Sequence, residues 1–243
     1  MIDKAFLRTQ MLLGQEAMEK LAHCHIAVLG LGGVGSWCVE ALARSGVGEL
    51  TLIDCDEVSL SNLNRQLEAT RATVGQSKPE AMADRIRQIA PACILHPTYF
   101  RYTPDQRESF FAGHYDFIVD CIDTVSAKLD LIQNALARNI PIISALGTGN
   151  KLDPTQFRIT DISKSEGCHL ARIIRKELRD RGIRHHRVLW SPELPHKADQ
   201  TETPPPGRRS VPGSVPWVPP CAGMMLAGDV ILSLTEKERE GRE

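Results

Sequence analysis

Ile26-Ala27-Val28-Leu29-Gly30-Leu31-Gly32-Gly33-Val34-Gly35-Ser36 is an apolar run that breaks into glycines and then passes into a helical pattern. Such a run, closed by glycine, reads as a buried strand. Gly30, Gly32 and Gly35 make the pattern G-x-G-x-x-G, with Gly33 inside it. Its physics is a tight turn with little side chain in the way. The backbone then approaches a phosphate, and the N–H groups opening the next helix point at the anion. Alone, the loop says only that nucleotide phosphates bind here. Asp54 follows 19 residues after Gly35, where a dinucleotide fold places its ribose-binding acid. Read no further, the chain is a redox-cofactor protein.

Outward from the loop, strand and helix patterns alternate. Residues 3–22 read as helical with a break at Gly14, and 25–29 as the first strand. A helix to about Ser45 is stopped by Gly46 and Gly48. Glu49 to Asp54 is a short apolar strand ending in an acid. Residues 55–73 are polar and long for an α/β connection, which marks a functional loop. Pro79 opens a helix to Ala90, with Met82, Ile86 and Ile89 at helical spacing. Strands at 93–96, 115–121 and 141–145 then alternate with helices at 104–112 and 125–138. This order predicts an α/β fold, a Rossmann-like, doubly wound and mostly parallel sheet covered on both faces. Gly30, Asp54, Asp120 to Asp123 and Ser144 to Gly147 then converge at the carboxyl ends of the strands.

The segment after Asp54 displaces the redox reading. It runs Asp54-Cys55-Asp56-Glu57-Val58-Ser59-Leu60-Ser61-Asn62-Leu63-Asn64-Arg65-Gln66, and Gly75-Gln76-Ser77-Lys78 opens the next helix. A dinucleotide site needs one acid here, not this polar set. Arg65 and Lys78 added to a phosphate cradle suit a triphosphate, whose charge must be neutralised at the reacting phosphorus. Asp120-Cys121-Ile122-Asp123 supplies carboxylates where a hard Mg²⁺ ion sits on those phosphates.

Together these residues resemble the E1-like adenylating family, which includes ubiquitin-activating enzymes and the bacterial activators of sulfur-carrier proteins. The resemblance rests on Gly30-x-Gly32-Gly33-Val34-Gly35, on Asp54-x-Asp56-x-Val58-x-x-Ser61-Asn62-Leu63-Asn64-Arg65-Gln66, on Gly75-x-x-Lys78 and on Asp120-Cys121-x-Asp123. It implies ATP and Mg²⁺ as cofactors. Asp54 would hold the ribose, Asn62, Arg65 and Lys78 the triphosphate, and Asp123 the Mg²⁺. Arg8, in the Arg-x-Gln pattern of the first helix, would reach into the partner subunit's ATP site, which implies a homodimer. The implied chemistry is attack of a carboxylate on the α-phosphate, giving an acyl-adenylate and pyrophosphate.

Within that family the chain most resembles the tRNA threonylcarbamoyladenosine dehydratase branch. The resemblance is carried by Phe6-Leu7-Arg8-Thr9-Gln10 with Leu12-Leu13-Gly14, by Ala145 to Thr155, by Asp161-Ile162-Ser163-Lys164-Ser165 and by Gly213 to Gly223. It implies a tRNA partner whose threonylcarbamoyl group on adenosine 37 is activated and cyclised. Two alternatives stay open: an activator of a ubiquitin-like sulfur-carrier protein, and a nucleotide-binding scaffold without turnover. A monovalent cation near the active-site loops and a sulfurtransferase-type protein partner are compatible with either enzyme reading.

Composition bounds the rest. The 243 residues carry a net charge of −1, with 42% hydrophobic and 24% charged residues, so a nucleic-acid partner must use a local patch. Residues 1–150 form the adenylation core, and 151–243 extend the same domain. In that extension, residues 164–187 hold eight Lys/Arg against three acids, a candidate tRNA-contacting surface. His169, His185 and His186 read as surface residues. Nine of the fifteen prolines lie between Pro192 and Pro220, predicting an irregular loop before a docking helix. The seven scattered cysteines form no C-x-x-C pair, which points to a reducing cytoplasm and against a structural zinc. Cys168, at a helix start amid basic residues, is the one candidate for a reactive thiol. No membrane-spanning run and no leader pattern are expected.

Overall fold

The computed structural model describes residues 3–199, 201 and 210–236. Part of the predicted irregular loop and the charged tail beyond Glu236 lie outside the described residues. In chain order the elements are α1 (Leu7–Leu13), α2 (Gln15–Leu21), β1 (His25–Leu29), α3 (Gly35–Arg44), β2 (Glu49–Asp54) and α4 (Lys78–Arg87). They continue with β3 (Ile94–Tyr99), α5 (Arg107–Phe111), β4 (Phe117–Asp120), α6 (Val125–Ala137), β5 (Ile142–Ala145) and β6 (Arg158–Asp161). The last three are α7 (His169–Asp180), β7 (Arg187–Trp190) and α8 (Val218–Leu234).

Seven strands form one sheet in the order β3-β2-β1-β4-β5-β7-β6. All neighbours are parallel except β6 and β7, which pair antiparallel. Because β1 and β4 are buried on both faces, Ile26–Leu29 and Phe117–Val119 form unbroken apolar runs rather than alternating ones. Successive side chains point to opposite faces. Val28, Leu50, Leu52, Val119 and Ile143 meet α3, α4 and α8 on one side. Ala27, Leu29, Ile53, Ile118 and Ile142 meet α6 and α7 on the other.

This layout positions the site through the strand order. From β1 the chain winds outward through β2 and β3, then crosses back to β4 on the other side of β1. The connections leaving β1 and β4 therefore part in opposite directions and leave a crevice between them. The glycine loop and the Cys121–Asp123 turn form its walls.

Two departures from the sequence reading have physical causes. Strand β7 is hidden in the sequence at the end of a basic run, yet Val188, Leu189 and Trp190 are buried between β5 and β6. His186, expected at the surface, is 3% exposed because it enters that strand. Helix α8 docks on α3 through Gly223, where an added Cβ would lie 2.3 Å from the Val34 carbonyl oxygen. Only a glycine lets the two backbones approach so closely.

Candidate active site

The glycine loop is shaped by its own neighbours. Gly30 has φ +90°, and a Cβ there would stand 2.7 Å from the Cys121 carbonyl oxygen. A Cβ on Gly35 would stand 1.8 Å from the carbonyl oxygen of Gly30. Gly32 differs: nothing approaches its Cβ position except Gln66 Nε2, at 3.9 Å. The outer glycines thus close the turn, while the middle of the loop keeps an uncluttered backbone for a ligand.

Asp54 ends β2 and locks this loop. Its Oδ2 accepts from the Leu31 N–H at 2.6 Å and its Oδ1 from the Asp56 N–H at 2.9 Å. Each carboxylate oxygen keeps a second lone pair for ribose hydroxyls. The polar connection that follows is held by a reciprocal cap at Ser59 and Asn62, where the Ser59 N–H donates to Asn62 Oδ1 at 3.1 Å. Asn62 therefore shapes the turn on which Arg65 and Gln66 sit. Arg65 lies with Cγ 3.2 Å from the Cβ position of Gly33, and its Nη1 donates to Ser61 O and Asn64 Oδ1. The Trp37 indole N–H fixes the Arg65 carbonyl at 3.0 Å.

Gln66 is 7% exposed, and its Oε1 is buried with no hydrogen-bond donor among the described residues. The open Gly32 backbone, the spare lone pairs of Asp54 and the cationic side chains of Arg65 and Lys78 make up the donors and acceptors that a nucleotide requires. Lys78, at the start of α4, is 5% exposed and donates from Nζ to Asp56 Oδ2 at 3.1 Å. Its three N–H donors leave capacity for a phosphate. Gly30, Gly32, Gly33, Gly35, Asp54, Asp56, Asn62, Arg65, Gln66 and Lys78 are thus all carried by the loops around the carboxyl ends of β1 and β2.

Across the crevice, Asp120 and Lys128 are fully buried, and Lys128 Nζ donates to Asp120 Oδ2 at 2.6 Å and to the Ala145 carbonyl at 3.1 Å. Ser144 Oγ donates to the same carboxylate oxygen at 2.6 Å, and His186 Nε2 is 2.8 Å from Ser144 Oγ. Burial, reinforced by the Lys128 charge, pushes the His186 imidazole down to about 3. Asp120 Oδ1 accepts from the Ile122 N–H at 3.0 Å, so this buried cluster sets the turn that presents Asp123. Asp123 itself is exposed, with Oδ1 3.4 Å from Thr124 Oγ1. An exposed carboxylate at the mouth of a phosphate cradle is the oxygen donor that Mg²⁺ prefers.

Arg8 is not brought to this pocket. It is exposed on α1, and Phe6 just before that helix packs on Gly46, at the turn entering β2 on the opposite edge of the sheet. Cys168 is the N-cap of α7, its Sγ accepting from the Ala171 N–H at 3.5 Å. The basic stretch divides. Lys164, Arg172, Lys176, Arg179, Arg181 and Arg184 are exposed. Arg175, in contrast, binds back to Ser165, and Arg187 pairs with buried Asp229 at 2.6 Å.

Sequence reasoning missed the far wall of the pocket. Asn64 Nδ2 donates to the Ser214 carbonyl at 2.9 Å, and Pro219 Cβ lies 3.0 Å from the Cβ position of Gly33. Asn150 exchanges hydrogen bonds with Gly213, and Trp217 Nε1 donates to the Leu152 carbonyl. The late segment 213–219 therefore folds back over the loop, joining 150 residues of sequence separation. No local pattern announces such a contact.

A model of the ThiF family matches residues 6–241. The chain is 40% identical over 238 residues to the tRNA threonylcarbamoyladenosine dehydratase of Bacillus subtilis, covering 94% of each. Its fold is similar to the crystal structure of the Escherichia coli tRNA N6-threonylcarbamoyladenosine dehydratase in complex with AMP, with a TM-score of 0.87 and 34% identity over 96% of this chain and 95% of that one. The complex of that E. coli protein with ATP matches with the same TM-score and identity, over 99% and 100% of the two chains.

Proposed function

The chain belongs to the ThiF family, and from that premise we propose that it catalyses the ATP-dependent dehydration of N6-threonylcarbamoyladenosine in tRNA. The observation that carries this reading is its end-to-end likeness to a dehydratase of that substrate. The crystal structures of a similar dehydratase with ATP and with AMP support an adenylating route.

In this reading a carboxylate oxygen of the threonylcarbamoyl group attacks the α-phosphorus, and the bond to the β-phosphate oxygen breaks as pyrophosphate leaves. The neighbouring urea then attacks the acyl carbon and loses a proton. AMP departs with the former carboxylate oxygen, so the substrate has lost one water. The glycine loop cradles the phosphates, Asp54 accepts from the ribose hydroxyls, and Arg65 and Lys78 neutralise the charge that builds at phosphorus. Asn62 keeps Arg65 in place. Asp123 would hold a Mg²⁺ ion, whose chemistry is to neutralise the leaving pyrophosphate.

We assign Arg8 to the pocket of a second copy. It shares α1 with Leu7, Met11 and Leu12, which are 42%, 80% and 84% exposed. Three exposed apolar side chains on one short helix suit a homodimer contact. The tRNA backbone is assigned to Lys164, Arg172, Lys176, Arg179, Arg181 and Arg184, exposed residues of the basic stretch. No helix among the described residues is long and apolar enough to cross a membrane.

ATP–pyrophosphate exchange tests the reading. Exchange should require tRNA that carries the threonylcarbamoyl group. Exchange driven instead by a protein ending in Gly-Gly would favour a sulfur-carrier activator, and ATP binding without exchange under either condition would favour a scaffold.

A further inference from the structure

At the amino edge of the sheet, opposite the nucleotide loops, three adjacent strands each contribute a metal-ligating side chain to one place. His25 opens β1, Glu49 opens β2 and His96 lies within β3. Strand register puts them side by side, with His25 opposite Glu49, and Thr51, two residues further along β2, opposite His96. Residues two apart on a strand share a face, so all four side chains stand on the same side of the sheet.

We propose that His25, Glu49 and His96 form a binding site for a divalent transition-metal ion, Zn²⁺ by its donor set, that ties β1, β2 and β3 together. One ligand atom from each residue lies within 4.8 Å of the other two. His96 Nε2 is 2.7 Å from Glu49 Oε1, and His25 Nδ1 is 3.5 Å from the same oxygen. Two imidazole nitrogens and a carboxylate oxygen are a three-ligand zinc set with a fourth position left open. The three residues line an open groove of about 580 Å³ together with His23, His114, Tyr115 and Asp116.

The surroundings fit a ligand rather than a solvated histidine. The second nitrogen of His25, Nε2, is 2.7 Å from Thr51 Oγ1, the outward partner that orients a metal-binding imidazole. The plain alternative is a Glu49–His96 pair with His25 held by Thr51 and packed on the Tyr115 ring, and it predicts no zinc affinity.

The test is calorimetric titration of the chelator-treated chain with ZnSO₄, paired with thermal melts. A Cys55→Ser background removes the thiol of the separate Asp54–Cys55–Asp56 group. One zinc per chain should bind and raise the Tm by about 5 °C. His96→Ala and Glu49→Gln should each weaken binding about a hundredfold, and Thr51→Val about tenfold through the loss of the orienting partner. His96 is exposed on an edge strand, so His96→Ala should keep the wild-type circular dichroism. Absence of zinc binding to the wild type, or equal affinity in His96→Ala, overturns the proposal.

Discussion

Glu68→Gln should stabilise the protein at pH 8 and do much less at pH 5. Glu68 is 2% exposed, and neither carboxylate oxygen makes a hydrogen bond of good geometry among the described residues. Burial pushes this carboxyl from 4.5 up to about 7, opposed in part by its own backbone amide, the Lys78 ammonium and the Ser36 hydroxyl. The sign follows from where the proton is held. Below pH 4.5 the group is neutral both folded and unfolded, and it costs nothing. As the pH rises from 4.5 through 7, the unfolded chain ionises first and stability is lost; above 7 the penalty is constant. At about 1.4 kcal/mol per pKa unit, the full penalty is about 3 kcal/mol, with under about 1 kcal/mol of it present at pH 5. Gln keeps the shape and never ionises. Urea denaturation at the two pH values should therefore show a gain of about 2–3 kcal/mol at pH 8 and about 1 kcal/mol or less at pH 5. An equal gain at both pH values would make packing, not ionisation, the cause. A loss at pH 8 would mean that the carboxylate is held as an anion by Lys78.

His186 works in the opposite direction. Its folded value of about 3 lies below the ordinary 6.5, so its neutral form is fully compatible with the fold above 6.5. Stability should fall by about 1.4 kcal/mol per pH unit as the pH drops from 6 to 4, a dependence that His186→Asn removes in parallel urea titrations. Replacing Arg172, Lys176 and Arg179 together by Ala should weaken tRNA binding and lower its log–log salt slope by about 2; filter binding at several salt concentrations reads both, and an unchanged slope moves the RNA to another face. Arg8→Ala and Lys78→Ala chains should each be inactive alone and regain up to about a quarter of wild-type AMP formation when co-refolded, because one pocket in a mixed dimer is then intact. No recovery would remove Arg8 from the partner's site.

The phosphate loop was legible because its physics is local. Gly30, Gly32 and Gly35 lie within six residues, and the strand before them has a continuous apolar run. Asp54 and Lys78 were legible because each stands at the end of an element that periodicity already marks, and Arg65 because the polar loop that carries it is long for an α/β connection. Lys128 was not. Within the α6 pattern it reads as a solvated lysine, and only its contact with Asp120, fixed by the packing of α6 on β4, makes it fully buried. β7 was hidden for a related reason. Four residues after a run of histidines and arginines carry too short a pattern to announce a strand, and β7 exists because β5 and β6 pair on either side of it. The covering segment 213–219 was marked by its motif, but its place against Asn64 and Gly33 depends on α8 docking on α3. Tertiary packing, not any local pattern, decides each of these features.

The central claim is that the glycine loop holds an ATP cleaved at its α-phosphate in favour of a tRNA carboxylate. Incubating the purified chain with ATP, Mg²⁺ and tRNA carrying threonylcarbamoyladenosine, then analysing the digested nucleosides by mass, tests it directly. The expected result is conversion to a nucleoside lighter by one water, with one AMP formed per conversion and neither product with Asp123→Ala. An unchanged nucleoside, or AMP released equally with unmodified tRNA, would contradict it.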